Sequence, residues 1–456
     1  MTESFWCDHI WLDGVWARHV RLTLADGCVA SLTRDVAPAP QDERCAIVLP
    51  GLPNLHSHAF QRAMAGLTER AGPHGDSFWS WRDLMYRFNA RIGPDEMRAI
   101  AAMAYVEMLE SGFTRVGEFH YLHHAPDGQA YADPAEMAAA LCAAAQTSGI
   151  AMTLLPVFYA HAGFGGQPPS SAQARFISDI DGYARLLEAS RAHVSRLPDG
   201  VVGVAPHSLR AVTPDELVAL IPLAGQGPIH IHIAEQMREV EDCLAFNQQR
   251  PVEWLLDHAP VDARWCLVHA THMTQAETSR LAHSGAVAGL CPITEANLGD
   301  GLFPAAAYLE AGGAFGIGSD SNVLINAFEE LRLLEYGQRL SLRARNVLAA
   351  PGQSSGARLF EAVVRGGGRA LRASGAVESY ALAPGAPADM VTLNATHPAL
   401  FACSGDEILD AAIFAASASP VDCVYRRGRR IVSGGRHVAR DAVVADYRRA
   451  LEALRA

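Results

Sequence analysis

The stretch LPGLPNLHSHAFQRAMAGLTE, residues 49–69, decides how this chain is read. An apolar run ends at His56-Ser57-His58, and Gln61 and Arg62 follow at once. In an extended strand, residues two apart point to the same face. Both imidazoles can therefore reach one ion. The competing reading is a pair of hydrogen-bonded side chains where a strand leaves the core. What the rest of the chain places beside them decides between the two.

From residue 49 onward, short apolar strands alternate with longer helical patterns. The strand candidates are IVLPGLPNLHSH, FTRVGEFH, AMTLLPVFY, VVGVAPHS, PIHIHIAE, WCLVHATH, AVAGLCPIT and AFGIGSDS. Segments such as PDEMRAIAAMAYVEMLESG and PAEMAAALCAAAQTSG lie between them, starting near Pro or Asp and ending in Gly. Eight such units predict a (β/α)8 barrel over residues 49–370. A doubly wound open sheet is the alternative, but no G-x-G-x-x-G follows the first strand. Both ends of the chain carry strand-like alternation with Gly turns. Residues 1–48 and 371–456 are expected to meet in one small β-sandwich module, closed by a terminal helix. Arg426–Arg430 is expected to be a solvated hairpin face. The insertion AGFGGQPPSSAQA (162–174) follows the third strand and reads as a lid or as an ordinary surface loop.

Composition narrows the function. Half of the 456 residues are hydrophobic, enough for a large core. No apolar run approaches bilayer length, and the N-terminus MTESFWCDHIWLDG does not read as a secretory signal. The net charge of −12 disfavours nucleic acid or an anionic membrane as partner. Nine scattered cysteines without a C-x-x-C pair point to a reducing cytoplasm. All 37 basic residues are arginine, so Schiff bases, P-loop lysines and carbamylated-lysine metal bridges are excluded.

In a barrel, residues at the C-terminal strand ends face the active site. Those ends carry His56, His58, His120, Tyr121, His207, Arg210, His232, Glu235, His269, His272 and Asp320. His230 repeats the two-residue spacing with His232, but lies deeper in its strand. Asp320 taken alone would read as a helix N-cap. Together, His56, His58, His232 and Asp320 make a donor set of three nitrogens and one oxygen, suited to one zinc ion and a water. Glu235, beside the ligands, is placed as the proton shuttle. His269 reads as a hydrogen-bond partner for the attacked water or oxyanion, or else as a further ligand or structural imidazole.

H-x-H on the first strand, H-x-x-E on the fifth, His on the sixth and Asp on the eighth resemble the amidohydrolase superfamily along nearly the whole chain. The strand-five Glu without a bridging lysine resembles its mononuclear deaminases. The opening stretch, FWSWRDLMYRF (78–88) and CPITEANLGDGLFP (291–304) resemble the formimidoylglutamate deiminases. That resemblance implies hydrolysis of N-formimidoyl-L-glutamate to N-formyl-L-glutamate and ammonia, in histidine degradation. A dicarboxylate substrate needs strong donors away from the metal. Gln61, Arg82, Tyr121, His207 and Arg210 are the candidates. His120, His123 and His124 are assigned to the site's surroundings or the loop surface, and Arg62 to the helix exterior. The alternatives are a deaminase of a purine, triazine or guanidino compound, a binuclear cyclic-amide hydrolase and an inactive barrel scaffold. A homodimer is expected on general grounds.

Overall fold

The computed structural model describes residues 3–71, 78–372 and 380–456. The chain enters through β1 (Glu3–Leu12), β2 (Val15–Ala25) and β3 (Cys28–Thr33), an antiparallel meander. Its two turns are Asp13-Gly14 and Asp26-Gly27. All four residues have positive φ, as two-residue hairpins of primed type require. β4 (Glu43–Pro50) then lies parallel to β1.

Gly51 divides the decisive stretch in two. The segment IVLPGLPNLHSH was read as one strand, but β4 ends at Pro50 and β5 (Leu52–Ser57) belongs to a different sheet. The reason is a close approach: a Cβ at Gly51 would sit 2.1 Å from Thr114 Oγ1. Glycine lets the chain change sheets against the strand that carries Thr114.

Seven strand positions follow: β6 (Phe113–His120), β7 (Ala151–Phe158), the split pair β8 (Val201–Val202) and β9 (Ala205–Pro206), β10 (Ile229–Ile233), β11 (Trp265–His269), β12 (Val287–Leu290) and β13 (Ala314–Ile317). β5 to β9 form one parallel set and β10 to β13 another. Single parallel bridges join them at both seams. Val204↔Ile229 and Ser208↔His232 lie on one side, Ser57↔Asp320 on the other. The order of pairings therefore runs through every predicted strand and returns to the first. The strands are buried along their length, as their apolar runs require. The two predicted helices form as α2 (Pro94–Glu110) and α3 (Glu136–Ser148), after a helix that was not predicted, α1 (Phe78–Asn89). α2 starts at a proline, and the Glu96 carboxylate caps the Gly93 N–H at 3.0 Å. Arg62 does not face the exterior freely. It ion-pairs with Glu107 of α2 at 2.6 Å and ties that helix to the loop after β5.

The remaining strands are β14 (Met390–Leu393), β15 (Val421–Arg426), β16 (Arg429–Ser433) and β17 (Arg436–His437). They join the N-terminal strands in one eight-stranded sheet, ordered β17-β16-β15-β14-β4-β1-β2-β3. The expected sandwich is thus a single sheet curled over its own core of Phe5, Ile10, Val20, Leu22, Met390 and Tyr425. Its curl brings β3 against residues 385–388, where Val29 donates to the Ala386 carbonyl at 2.9 Å. A helix, Arg440–Arg455, ends the chain.

The arginine cluster at 426–430 corrects its own expectation. Arg426 is buried, pairing with Asp389 and, at 3.3 Å, with Asp199, while Arg427 reaches Asp199 at 2.7 Å. These pairs lock the hairpin onto the loop before β8. Arg429 and Arg430 do face solvent.

Candidate metal centre and active site

The ends of β5, β10 and β13 converge on one point. His56 and His58 come from β5 and its last turn, His232 from β10, and Asp320 from the segment after β13. One donor atom from each lies within 4.8 Å of the others, and all four residues are buried. His56 Nε2 is 3.1 Å from both His58 Nε2 and His232 Nε2. Asp320 Oδ1 is 3.4 Å from His56 Nε2 and 3.3 Å from His58 Nε2.

Hydrogen bonds decide what these atoms present to one another. Nδ1 of His58 faces the Phe119 carbonyl at 2.8 Å, and Nδ1 of His232 faces the His207 carbonyl at 3.0 Å. A carbonyl only accepts, so both Nδ1 atoms carry the proton and both Nε2 atoms offer lone pairs. Protonation does not relieve the clash, because burial lowers the pKa of His58 and His232 and takes His56 down to about 3. Lone pairs from imidazoles together with an ionised carboxylate, aimed at one point, are a ligand field in search of a cation. Asp320 stays ionised: burial pushes its carboxyl up, but the hydrogen bond and charge of His56, then His269 and His58, hold it below the usual range.

The scaffold behind the ligands is stiff and polar. Asn322 Nδ2 donates to Ser57 Oγ, the His58 carbonyl and the Asp320 carbonyl, each at 3.1 Å. Its Oδ1 accepts from Ser319 Oγ at 2.6 Å, and Asn54 Nδ2 reaches the same hydroxyl at 2.6 Å. Ala234, His269, Ala270, Asp320 and Asn322 all have φ between 44° and 67°. Left-handed backbone at residues other than glycine costs free energy and persists where surroundings over-determine it. Glu118, between Ser57 and Tyr105, accepts from the Ala59 N–H at 2.7 Å, and burial pushes its carboxyl up to about 8.

Beside the metal group stand Glu235, two residues past β10, and His269, which ends β11. His269 Nε2 is 4.0 Å from Glu235 Oε1 and 3.9 Å from Asp320 Oδ2. Burial works against a charged His269, but Glu235, then Glu295 and Asp320, raise its pKa to about 10. Burial, against the His269 charge and with that of Asp320, raises Glu235 to about 7. One side chain is thus held as a cation, and the other titrates near neutrality.

Two acids in this region were not singled out from sequence. Glu295 Oε1 accepts from His269 Nδ1 at 3.2 Å and from the Cys291 N–H at 2.9 Å. It fixes which face of the imidazole points at the reacting centre. His269, Cys291 and Glu295 also lie close enough to hold an ion. Glu295 Oε1 is already engaged by His269 and the Cys291 N–H, and burial keeps the Cys291 thiol protonated. Asp300 accepts from Gln236, and burial with the neighbouring Glu235 raises its carboxyl to about 8. Both acids lie in the stretch 291–304, but a carboxylate between apolar residues gives no periodic signal.

A chamber of about 50 Å³ opens over this group. Gln61, Arg82, Tyr121, His207 and Arg210 all line it, with His58, His232, Glu235, His269 and Asp320. Gln61 Nε2 donates to Tyr121 Oη at 3.0 Å. Nε of Arg82 and of Arg210 is buried without a hydrogen-bond partner, and neither arginine has an ion pair among the described residues. The sequence reading missed the aromatic wall of Trp81, Tyr86, Tyr159 and Phe176. His120 and His123 are buried outside the chamber, His230 Nε2 donates to the Ala370 carbonyl at 2.8 Å, and His272 lies off the lining. The loop 162–174 folds on itself, with Gln173 donating to Tyr159 Oη at 2.8 Å.

Comparison with known proteins agrees with this geometry. The model of the amidohydrolase family matches residues 47–431, and that of the formimidoylglutamate deiminase HutF N-terminal domain matches residues 12–46. A formimidoylglutamate deiminase of Pseudomonas aeruginosa is 49% identical over 430 residues, covering 93% of this chain and 94% of that protein. The crystal structure of an amidohydrolase from Brucella melitensis is 52% identical, with a TM-score of 0.96 and full coverage of both chains. An adenosine deaminase from Xanthomonas campestris, solved with zinc, has the same fold at 23% identity and a TM-score of 0.83, covering 99% of this chain and 98% of that one. The chain belongs to the amidohydrolase family and, within it, to the formimidoylglutamate deiminases.

Proposed function

We propose that this chain hydrolyses N-formimidoyl-L-glutamate to N-formyl-L-glutamate and ammonia on a (β/α)8 barrel formed by residues 49–370. The β-module of residues 1–48 and 371–456 buttresses that barrel. One observation carries the substrate assignment. Two arginines that form no ion pair among the described residues, each with an unpartnered buried Nε, line the same chamber as the metal group and Glu235. A planar nucleobase has no use for two such cations, whereas a dicarboxylate does.

Zinc is the ion that best fits a buried set of three imidazoles and one carboxylate, and when bound it supplies the Lewis acidity that brings a water's pKa towards about 7. Asp320, held ionised, orients the attacking water. Glu235 relays both of the water's protons to the terminal nitrogen: the first as the water's oxygen bonds to the formimidoyl carbon, the second as the C–N bond breaks and ammonia leaves. Its pKa of about 7 suits both transfers. His269, held cationic, stabilises the oxygen as it gains negative charge. Arg82 and Arg210 bind the substrate carboxylates, and Gln61, Tyr121 and His207 complete the cradle.

All nine cysteines are free, which fits a reducing cytoplasm. No helix among the described residues is long and apolar enough to cross a membrane. For the oligomeric state, Tyr336 and Leu340, one turn apart, expose apolar surface on one face of the helix Ala327–Leu342, suited to the interface of a homodimer. The deciding experiment is ammonia release from N-formimidoyl-L-glutamate, with guanine and adenosine run alongside. Preference for either nucleobase compound rejects the assignment.

A further inference from the structure

A second cavity, of about 440 Å³, adjoins the catalytic chamber. Arg82 and Arg210 line both spaces, while Arg238 lines the outer one alone. The three guanidinium groups gather around one indole: Arg82 lies 4.5 Å from the centre of the Trp79 ring, Arg238 4.7 Å and Arg210 5.9 Å. Phe246 and Gln167 form part of the outer wall. Arg238 stands in the first turn of the helix Met237–Asn247, which begins two residues after Glu235. Its side chain is 64% exposed, and its acidic neighbour is Asp242, at 3.8 Å.

This arrangement needs a reason. The chain carries a net charge of −12, which repels an anion arriving from solution. Three arginines at one mouth reverse that field locally. A cationic mouth over low-dielectric walls concentrates anions and raises their rate of capture. Trp79 helps hold the three like charges close, since its π system lies within 5.9 Å of each.

Resting on the dicarboxylate reading of the inner chamber, we infer that the outer cavity is the substrate's entrance and a transient carboxylate-docking site. Arg238 receives the anion there, and Arg82 and Arg210 draw it inward. Arg238 makes its contribution before the chemistry. It acts on capture, so its charge affects kcat/KM and leaves kcat alone. Asp242 opposes it.

The test is steady-state ammonia release by the full chain at about 10 mM and about 500 mM salt, where the screening length falls from about 30 Å to a few Å. At low salt, Arg238→Glu should lower kcat/KM about tenfold, and Asp242→Asn should raise it about twofold. Neither should change kcat, and both effects should vanish at high salt. Arg98→Gln removes a cation from the N-terminal half of α2, where Arg98 pairs with Asp446 at 3.7 Å, and should do nothing. The opposite signs of the two vestibule variants exclude misfolding as the cause. The inference is overturned if Arg238→Glu stays within about twofold of the parent at low salt, or if its loss persists at high salt. In that case, turnover of N-formimidoyl-L-glutamate by the parent still upholds the proposed function. A parent that does not turn it over overturns both.

Discussion

Replacing Glu235 by glutamine keeps the side chain's volume and removes its proton chemistry. Glu235 is 6% exposed and faces His269 at 4.0 Å, so the amide fits the same space. Losing a positioned general acid–base should cost about 10²- to 10⁴-fold in kcat, or about 3–5 kcal/mol. The metal group does not include Glu235, so ion content should not change. The same substitution should stabilise the fold, in a pH-dependent way. Burial raises this carboxyl from 4.5 to about 7. Below pH 4.5 it is protonated whether folded or unfolded, and there is no penalty. Between those values the unfolded chain loses the proton first, so stability falls as pH rises. Above pH 7 the penalty is complete, roughly 3 kcal/mol at about 1.4 kcal/mol per pH unit. Glutamine escapes it. Unfolding entropy of about 2.1 cal/mol/K per residue makes 1 kcal/mol worth about 1 °C in a chain of this size. Glu235→Gln should therefore melt about 3 °C higher than the parent at pH 8, with the gap closing towards pH 4.5. Calorimetry across that range, elemental analysis and ammonia release read all three quantities. Near-parental kcat, or a variant less stable than the parent at pH 8, refutes the role and the burial argument respectively.

Arg82→Met should raise KM for N-formimidoyl-L-glutamate about 10- to 100-fold, with a smaller change in kcat, since a charge-assisted hydrogen bond is worth about 1.5–3 kcal/mol; an unchanged KM rejects the clamp. The parent kcat/KM should rise with pH through about 7, because Glu235 must first lose its proton to serve as base; a profile flat from pH 5 to 8 removes it from that step. Purified protein should hold about one divalent ion per chain, and His232→Ala should release it; two ions per chain by elemental analysis sink the mononuclear reading. Gly51→Ala should destabilise the fold by about 1–3 kcal/mol, because its methyl group overlaps the Thr114 side chain; an unchanged melting temperature contradicts the close approach.

Strands with uninterrupted apolar runs were legible at once. AMTLLPVFY is β7 to within one residue, because a strand buried on both faces is apolar along nearly its whole length. The His-Ser-His pair, Glu235, His269 and Asp320 were legible because strand ends impose spacing. Gly51 was not, since a change of sheet inside one apolar run leaves the hydrophobic pattern intact. Arg426 misled for a different reason. Its place in a run of basic residues suggested solvent, whereas Asp389 and Asp199, far away in sequence, bury it. Glu295 and Trp79 belong to helices whose pattern reports only which face is apolar, so their roles emerge from long-range contacts alone.

The seam between β13 and β5 has a consequence for assembly. Ser57 and Asp320 form its single bridge, and His56 and His58 exchange backbone hydrogen bonds with Asp320 there, at 3.0 and 2.9 Å. Three of the four candidate ligands therefore sit on the join between the first and last strands. An ion gripped by them is a clasp as well as a reagent, since it fastens two segments more than 260 residues apart in the chain. Chelation should then speed amide hydrogen exchange at residues 56–58 and 318–322 while leaving β6 and β7 protected. The cell's supply of metal would set how firmly each new copy of this chain is buckled shut.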